Sequence, residues 1–340
     1  MIDQASALRS LVRDRIVFAR SEARPPKVYA VAVTSGKGGV GKTSIAVNLA
    51  IMLSRAGRTV RLIDADFGLS NAEVLLGVTP RHTLEDVVRG SVDINDAWMD
   101  CPGGIRLLSS GSGLEAMANI DGSTGVEILN SVIGSVSDGE IIIIDTAPGI
   151  NDSVISLLST VDEVMVVTSP EPTSITDTYA AIKVLMSAVP SAEITLISNS
   201  CLSPSQAGAV AQGLDGICRR FLNRSFRGYE YVPHDPSVGM AIQCQRPFAI
   251  HSTHSPAASW LRRLAIKLAE RARNMRPRTA TVVSGDGQAD SVVSDLRLGQ
   301  AGTETGHYDT QQAGTETGHY DARQAGTETG PYVERLVVGA

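Results

Sequence analysis

The chain has 340 residues, a formal net charge of −6, 43% hydrophobic residues and four cysteines. An acidic balance creates no overall field that would attract nucleic acid, so nucleic acid is not an expected partner. The cysteines include no C-x-x-C pair and no apolar run is long enough to span a bilayer, so we expect a cytoplasmic protein with reduced thiols.

The first 17 residues predict a short helix with Asp3 as its N-cap and with Ala5 and Leu8 on an apolar stripe. A helix of this length is marginal in isolation, so it needs a surface on which to dock. That surface belongs either to a partner or to the protein's own domain. Residues 18–27 contain Pro25 and Pro26, which break a helix and stiffen the chain, and we predict a linker there.

A phosphate-binding loop is predicted directly after the first buried strand. Its sequence, G-K-G-G-V-G-K-T, meets the spacing G-x-x-x-x-G-K-[ST] and carries a second lysine, Lys37. Glycines let backbone N–H groups turn towards phosphate oxygens, while Lys42 would hold the β- and γ-phosphates and Thr43 would supply a hydroxyl to Mg²⁺. A helix starting near Ser44 would point its positive dipole end at the anion. The residues predicted to contact the nucleotide here are Gly36, Gly38, Gly39, Val40, Gly41, Lys42, Thr43 and Ser44.

Carboxylates follow two further predicted strands, at the ends where open α/β sheets bind ligands. Asp64 and Asp66 follow one apolar strand, and Asp145 follows a run of isoleucines. Asp145 would hold Mg²⁺ through water, and Thr43 and Asp64 complete the predicted metal site. For Asp64 and Asp66 the alternative is capping and solvation of the strand end.

Predicted strands alternate with predicted helices along the central part of the chain. This alternation favours an α/β fold with a doubly wound, mostly parallel sheet and helices on both faces. Continuous apolar runs agree, because a strand that is covered on both faces need not alternate in polarity. The strands are predicted at residues 28–34, 59–63, 105–108, 141–144, 164–168, 194–198 and 229–232.

Three motifs resemble those of one family. G-K-G-G-V-G-K-T, D-A-D-F-G-L-S-N and D-T-A-P-G are similar to the deviant phosphate loop, switch I and switch II of the MinD/ParA ATPases, over about residues 28–272. The resemblance implies binding of ATP and Mg²⁺, slow hydrolysis, and a homodimer closed by ATP in which Lys37 reaches the partner's nucleotide. It also implies that Asp66 orients the attacking water and that Asn71 assists.

The same resemblance extends to recognition of the base. Asn199 follows a predicted strand and matches the family's adenine-reading asparagine. Pro233 and Asp235 lie in Y-V-P-H-D-P-S-V, which matches the loop that packs on the base. A carboxamide pairs with the donor and acceptor edge of adenine, which favours ATP over GTP.

The beginning of the chain resembles one branch of that family. Asp3, Gln4, Ala5, Leu8 and Arg9 form D-Q-A-x-x-L-R, which is similar to the N-terminal motif of the flagellar-number ATPases of the FlhG/FleN group. The resemblance implies a partner, the SRP-type GTPase FlhF, whose GTP hydrolysis the motif stimulates. It also implies flagellar switch (C-ring) proteins or a transcription regulator of flagellar genes as partners.

Other functions stay open. A MinD-type division-site ATPase or a ParA-type partition ATPase would share the nucleotide chemistry but would have no use for the N-terminal motif. A nucleotide-dependent scaffold without hydrolysis belongs to another class, and the presence of Lys42, Asp66 and Asp145 argues against it.

The last predicted helix, at residues 255–273, has two interpretations. It is either the final helix packed on the sheet, or a membrane-surface helix that contacts the inner face of the cell membrane. Its basic residues suit an anionic interface, but a long tail follows it. The apolar stripe consists of Trp260, Leu261, Leu264, Ala265 and Leu268.

The end of the chain, residues 274–340, differs in composition from the predicted ATPase domain at residues 28–273. The segment Q-A-G-T-E-T-G-H-Y-D starts at Gln300 and again at Gln312, and an altered copy starts at Gln324. Each copy has one tyrosine and no aliphatic face that could stack on its neighbour. We therefore expect a disordered tail rather than a solenoid.

Overall fold

The computed structural model describes residues 27–66, 71–111 and 122–274. Three of the predicted segments lie outside these ranges: the N-terminal motif, the linker up to residue 26, and the tail from residue 275. Residues 67–70 of the switch I motif also lie outside them. Every residue predicted to contact nucleotide or metal lies inside the described ranges.

The described residues form one sheet of eight strands. The strands are β1 (Tyr29–Thr34), β2 (Val60–Ala65), β3 (Met99–Cys101), β4 (Ile105–Leu108), β5 (Ile141–Thr146), β6 (Glu163–Thr168), β7 (Ile194–Cys201) and β8 (Gly228–Pro233). Their order across the sheet is β3-β4-β2-β5-β1-β6-β7-β8, and all neighbours run parallel except β3 and β4. The predicted mostly parallel sheet is therefore confirmed.

Helices cover both faces of this sheet. In β1, Ala30 and Ala32 belong to one hydrophobic core, whereas Val31 and Val33 belong to another. Successive side chains of a strand point to opposite faces, so each core lies on its own face. The helices are α1 (Lys42–Arg55), α2 (Ala72–Leu76), α3 (Leu84–Arg89), α4 (Ile94–Ala97), α5 (Gly122–Gly134), α6 (Asp152–Leu158), α7 (Pro172–Ala188), α8 (Pro204–Leu222), α9 (Pro236–Gln243), α10 (Phe248–His251) and α11 (Pro256–Arg273).

Strand β3 is the element that the sequence pattern missed. It has three residues, pairs antiparallel with β4 and lies at the edge of the sheet. An antiparallel edge strand needs neither a long apolar run nor burial on both faces. Its short sequence therefore carries no periodic signal that would distinguish it from a loop.

The apolar stripe of α11 packs in the core, as the first interpretation of that helix predicts. Leu261, Leu264 and Leu268 are at most 2% exposed and belong to the same core as α1. Trp260 lies at the border of the stripe, with its ring edge-on to Tyr231 at a centroid distance of 4.7 Å. In the part of the chain that the structure describes, no helix combines the length and apolar character needed to cross a membrane.

A buried ionic cluster joins α11 to the amino-terminal edge of the sheet. Glu163, at the start of β6, is fully buried and accepts hydrogen bonds from the Tyr29 hydroxyl at 2.6 Å and the Thr195 hydroxyl at 2.6 Å. Arg271, near the end of α11, donates at 2.5 Å to Glu163 Oε1, the oxygen that also accepts the Thr195 hydroxyl. Burial and the neighbouring Glu163 carboxylate raise the pKa of Tyr29. One carboxylate therefore ties two strands and the last helix together.

Replacing Glu163 by alanine should lower the free energy of unfolding by about 3 kcal/mol, because Arg271 and two hydroxyl groups lose their acceptor inside the protein. Urea unfolding followed by far-UV circular dichroism measures this change. Glu193→Ala is the matched control, since Glu193 is 56% exposed and lies 3.7 Å from Arg227. The control should change stability by less than about 0.5 kcal/mol. Equal effects of the two variants would contradict a stabilising role for the cluster.

Candidate nucleotide-binding site

The predicted phosphate loop connects β1 to α1. Gly39 and Gly41 have φ values of 80° and 93°, in the left-handed region that favours glycine. Gly41 is the N-cap of α1, which begins at Lys42, two residues before the predicted start near Ser44. A Cβ atom at Gly38 or Gly39 would meet nothing within 4 Å. The loop thus leaves open space on one side, as an anion cradle requires.

The other side of the loop packs tightly on its neighbours. A Cβ atom at Gly36 would lie 2.2 Å from the Asp177 carbonyl oxygen of α7, and one at Gly41 would lie 2.4 Å from Asn199 Nδ2. The backbone of α7 cannot move easily, so its close approach requires glycine at position 36. At position 41 the neighbouring atom is the end of a flexible side chain, and the positive φ value is the stronger reason for glycine.

Lys42 and Asp145 form a buried ion pair in the centre of the site. Lys42 Nζ lies 2.7 Å from Asp145 Oδ1 and 3.4 Å from Thr43 Oγ1, and the two charged side chains are 8% and 1% exposed. Burial raises the pKa of Asp145, and the Lys42 ammonium and the Thr43 hydroxyl oppose that shift. Asp145 Oδ2 is buried and has no hydrogen-bond partner in the part of the chain that the structure describes. A carboxylate oxygen of this kind, close to a threonine hydroxyl, suits a hard cation such as Mg²⁺.

Asp64 lies on β2, directly beside Asp145 on β5 in the strand register. Its carboxylate accepts hydrogen bonds from the backbone N–H groups of Asp66, Asn71 and Ala72, each at 3.1 Å. The structure therefore surrounds this predicted metal ligand with backbone donors. Asp66 follows the end of β2, and its carbonyl oxygen accepts a hydrogen bond from the Ser110 hydroxyl at 3.1 Å.

The switch II motif contacts the phosphate loop through its backbone. Gly149, with φ of 98°, donates its N–H to the Ser35 carbonyl oxygen at 2.8 Å. The Ser35 hydroxyl in turn donates to the Lys37 carbonyl oxygen at 2.9 Å. The two segments are thus connected through the Ser35 carbonyl and hydroxyl groups.

Lys37 is held within its own chain in this structure. Its Nζ lies 2.8 Å from Thr173 Oγ1 and 3.4 Å from Glu171 Oε2, at the start of α7. Sequence reasoning missed Thr173, Glu171 and Asp177 as neighbours of the loop. They lie more than 130 residues away along the chain, and Pro172 at the first turn of α7 predicts a helix start but no contact. The contact of Lys37 with a partner's nucleotide stays a prediction.

The residues predicted to recognise the base fall into two groups. Asn199 touches the phosphate loop, because its Nδ2 donates to the Val40 carbonyl oxygen at 2.7 Å. Asp235 instead caps α9 by accepting the Ser237 N–H at 3.0 Å, and it accepts the Ala257 N–H of α11 at 3.0 Å. Partial burial raises the pKa of Asp235, but these hydrogen bonds outweigh burial and lower it overall. Pro233 is the last residue of β8.

A glycine-rich turn connects a parallel strand to a helix, and its lysine contacts an aspartate on the strand that neighbours β1 in the sheet. This arrangement defines a P-loop NTPase. The sequence matches the model of the ParA family, described as NUBPL iron-transfer P-loop NTPase, over residues 28–269. The chain therefore belongs to the ParA/MinD family. Iron transfer, which the description of the family model mentions, would make cysteines the residues of interest. The four cysteines of this chain form no disulfide in the structure.

Two relatives show what the chain resembles in sequence. The chain is 40% identical over 220 residues to antiactivator FleN of Pseudomonas aeruginosa, which covers 64% of this chain and 78% of FleN. It is 34% identical over 189 residues to the flagellum site-determining protein YlxH of Helicobacter pylori, which covers 56% of this chain and 64% of YlxH.

Among solved structures it is similar to the septum site-determining protein MinD from Pyrococcus horikoshii, complexed with Mg-ADP. The TM-score is 0.61 and the identity 25%, over 72% of this chain and 97% of MinD.

Gly36→Ala should lower the free energy of unfolding by about 1–3 kcal/mol, because the new methyl group can be accommodated only if the loop or α7 shifts. Chemical denaturation of the nucleotide-free protein measures this cost. Gly38→Ala is the matched control in the same loop, since its Cβ atom points into open space. Equal stabilities of the two variants would contradict the close packing of the loop on α7.

Proposed function

We propose that this protein is an ATP-hydrolysing switch that dimerises when it binds ATP and that regulates the number or placement of flagella. The observation that carries the proposal is a phosphate loop with two lysines in different surroundings. Lys42 is buried against Asp145, whereas the side chain of Lys37 is 37% exposed at the surface of the loop. The first lysine is placed to hold a nucleotide, and the second can be reached by another subunit.

Nucleotide binding would exchange the partners of the buried ion pair. Lys42 would turn from Asp145 to the β- and γ-phosphates, and the Asp145 carboxylate would then be available to hold Mg²⁺ through water, together with Thr43. Mg²⁺, when bound, neutralises charge on the phosphates. Neither charged side chain would remain buried without a partner, which keeps the exchange energetically accessible.

The orientation of Asn199 supports ATP as the nucleotide. Because its amide NH₂ group donates to the Val40 carbonyl oxygen, its Oδ1 faces away from the loop and can accept a hydrogen bond. The 6-amino group of adenine is a donor, whereas guanine has an oxygen at that position. The amide would therefore attract adenine and repel guanine.

Hydrolysis would proceed mainly by positioning and charge stabilisation. Asp66 would orient the attacking water with the assistance of Asn71, and Lys37 of each subunit would leave Thr173 and Glu171 to stabilise charge on the partner's phosphates. Turnover would be slow without an effector, because completion of the site depends on a second subunit.

Lys37→Ala should bind ATP normally but remain monomeric, and its turnover should fall by about 10³, the magnitude of an arginine finger. Ultracentrifugation with a non-hydrolysable ATP analogue and Mg²⁺ measures the dimer, and equilibrium binding measures affinity. Lys42→Ala should lose binding and dimerisation together. Lys183→Ala, on the exposed face of α7, is the surface-lysine control and should behave like wild type. An undiminished dimer in Lys37→Ala would exclude the contact between subunits.

The flagellar part of the proposal is supported by the similarity to the flagellum site-determining protein YlxH and by the motif from Asp3 to Arg9, which resembles that of the flagellar-number ATPases. We propose that this motif stimulates an SRP-type GTPase of the FlhF kind. C-ring proteins and a flagellar transcription regulator are the further proposed partners, in keeping with the name antiactivator. Contact with the inner face of the membrane would have to use a surface other than the α11 stripe, because exposing each buried leucine costs about 1.5–3 kcal/mol.

Deleting residues 1–20 should abolish stimulation of the purified SRP-type GTPase while leaving ATP binding unchanged, because the described ATPase fold starts after these residues. Steady-state GTP hydrolysis with and without this protein measures the effect. Gln4→Ala tests the motif without shortening the chain and should also lower the stimulated rate. If the full-length protein does not stimulate the GTPase, a division-site or partition function becomes the better assignment.

A further inference from the structure

Asp64 is a buried carboxylate in the candidate site that accepts several backbone hydrogen bonds. The residue has no exposed surface. Its Oδ1 accepts the N–H of Asp66, and its Oδ2 accepts the N–H groups of Asn71 and Ala72, each at 3.1 Å. Three backbone donors therefore converge on one buried anion, and both carboxylate oxygens are engaged.

These three donors lie on the two sides of residues 67–70 of the switch I motif. Asp66 precedes these residues and Asn71 follows them, so a single side chain binds both of the residues proposed to act on the attacking water. Ala72, the first residue of α2, is fully buried in the core. On the other side, the Ser110 hydroxyl donates to the Asp66 carbonyl oxygen.

Asp145 provides the contrast. It lies beside Asp64 in the register of β2 and β5, yet its Oδ2 is buried and has no hydrogen-bond partner among the described residues. A cation bound at that oxygen would displace no described hydrogen bond, whereas a cation that took the place of the N–H groups at Asp64 would leave them buried and unpaired. Of these two neighbouring carboxylates, Asp145 is therefore the better suited to a cation.

We propose that Asp64 is a positioning residue, which clamps the described residues on both sides of residues 67–70 of the switch I motif and so places Asp66 and Asn71, and that it is not a magnesium ligand. Its carboxylate acts through backbone N–H groups and touches neither the nucleotide nor the water. The consequence for hydrolysis rests on the proposed ATPase function. The clamp itself is a property of the nucleotide-free protein.

Hydrogen exchange tests the clamp without catalysis. In the wild-type protein the amides of Asp66, Asn71 and Ala72 should be protected, and should stay protected when Mg²⁺ and ADP are added. In Asp64→Asn, which keeps the size of the side chain but presents an NH₂ group to backbone donors, these amides should exchange at least about tenfold faster. Loss of wild-type protection on addition of Mg²⁺ and ADP would overturn the proposal, as would unchanged exchange in the variant.

Magnesium dependence supplies the second readout. Asp64→Asn should lower kcat by about 10²-fold, the effect of misplaced catalytic groups, without raising the Mg²⁺ concentration needed for half-maximal activity. Asp145→Asn is the matched control, and its half-maximal Mg²⁺ concentration should rise by about 10- to 100-fold. Recovery of Asp64→Asn activity at high Mg²⁺ would identify Asp64 as a ligand instead. If wild type does not hydrolyse ATP, the proposed function fails, and the exchange experiment still decides the clamp.

Discussion

The buried ion pair between Lys42 and Asp145 is the interaction around which the nucleotide site is organised. Removing two charges from water is costly, and the cost is met only when each charge keeps a close partner. The pair joins the first residue of α1 to β5, so it also fixes the helix that follows the phosphate loop. A phosphate and a metal ion are alternative partners of the correct charge for each member.

The phosphate loop contacts three other segments of the described fold. Its backbone is bonded to switch II through Ser35 and Gly149 and to the Asn199 side chain through Val40, and Gly36 packs against α7. The contact at Gly36 is the tightest, because the neighbouring atoms belong to the α7 backbone. The conformation of the loop therefore depends on residues that lie far from it along the chain.

The carboxyl and amino edges of the sheet differ in the residues that they hold. The carboxyl edge holds the loops, left-handed glycines and charged residues on which nucleotide chemistry depends. The amino edge holds Glu163, whose bonds to Tyr29, Thr195 and Arg271 join strands to the last helix. The Glu163 cluster and the candidate nucleotide site therefore lie at opposite edges of the sheet. Because different residues form them, a substitution in the site need not disturb the cluster.

The sequence by itself determined the sheet, the position of the phosphate loop and the family, because these depend on local signals: apolar runs, glycine spacing and carboxylates at strand ends. Tertiary structure alone decided that β3 is a strand, that the α11 stripe belongs to the core, that Lys37 rests on Thr173, and that Asp64 faces three backbone donors. In each case the deciding contact joins groups whose relative orientation is set by packing. Residue type and spacing predict which groups reach the same edge of a sheet, but not which donor meets which acceptor.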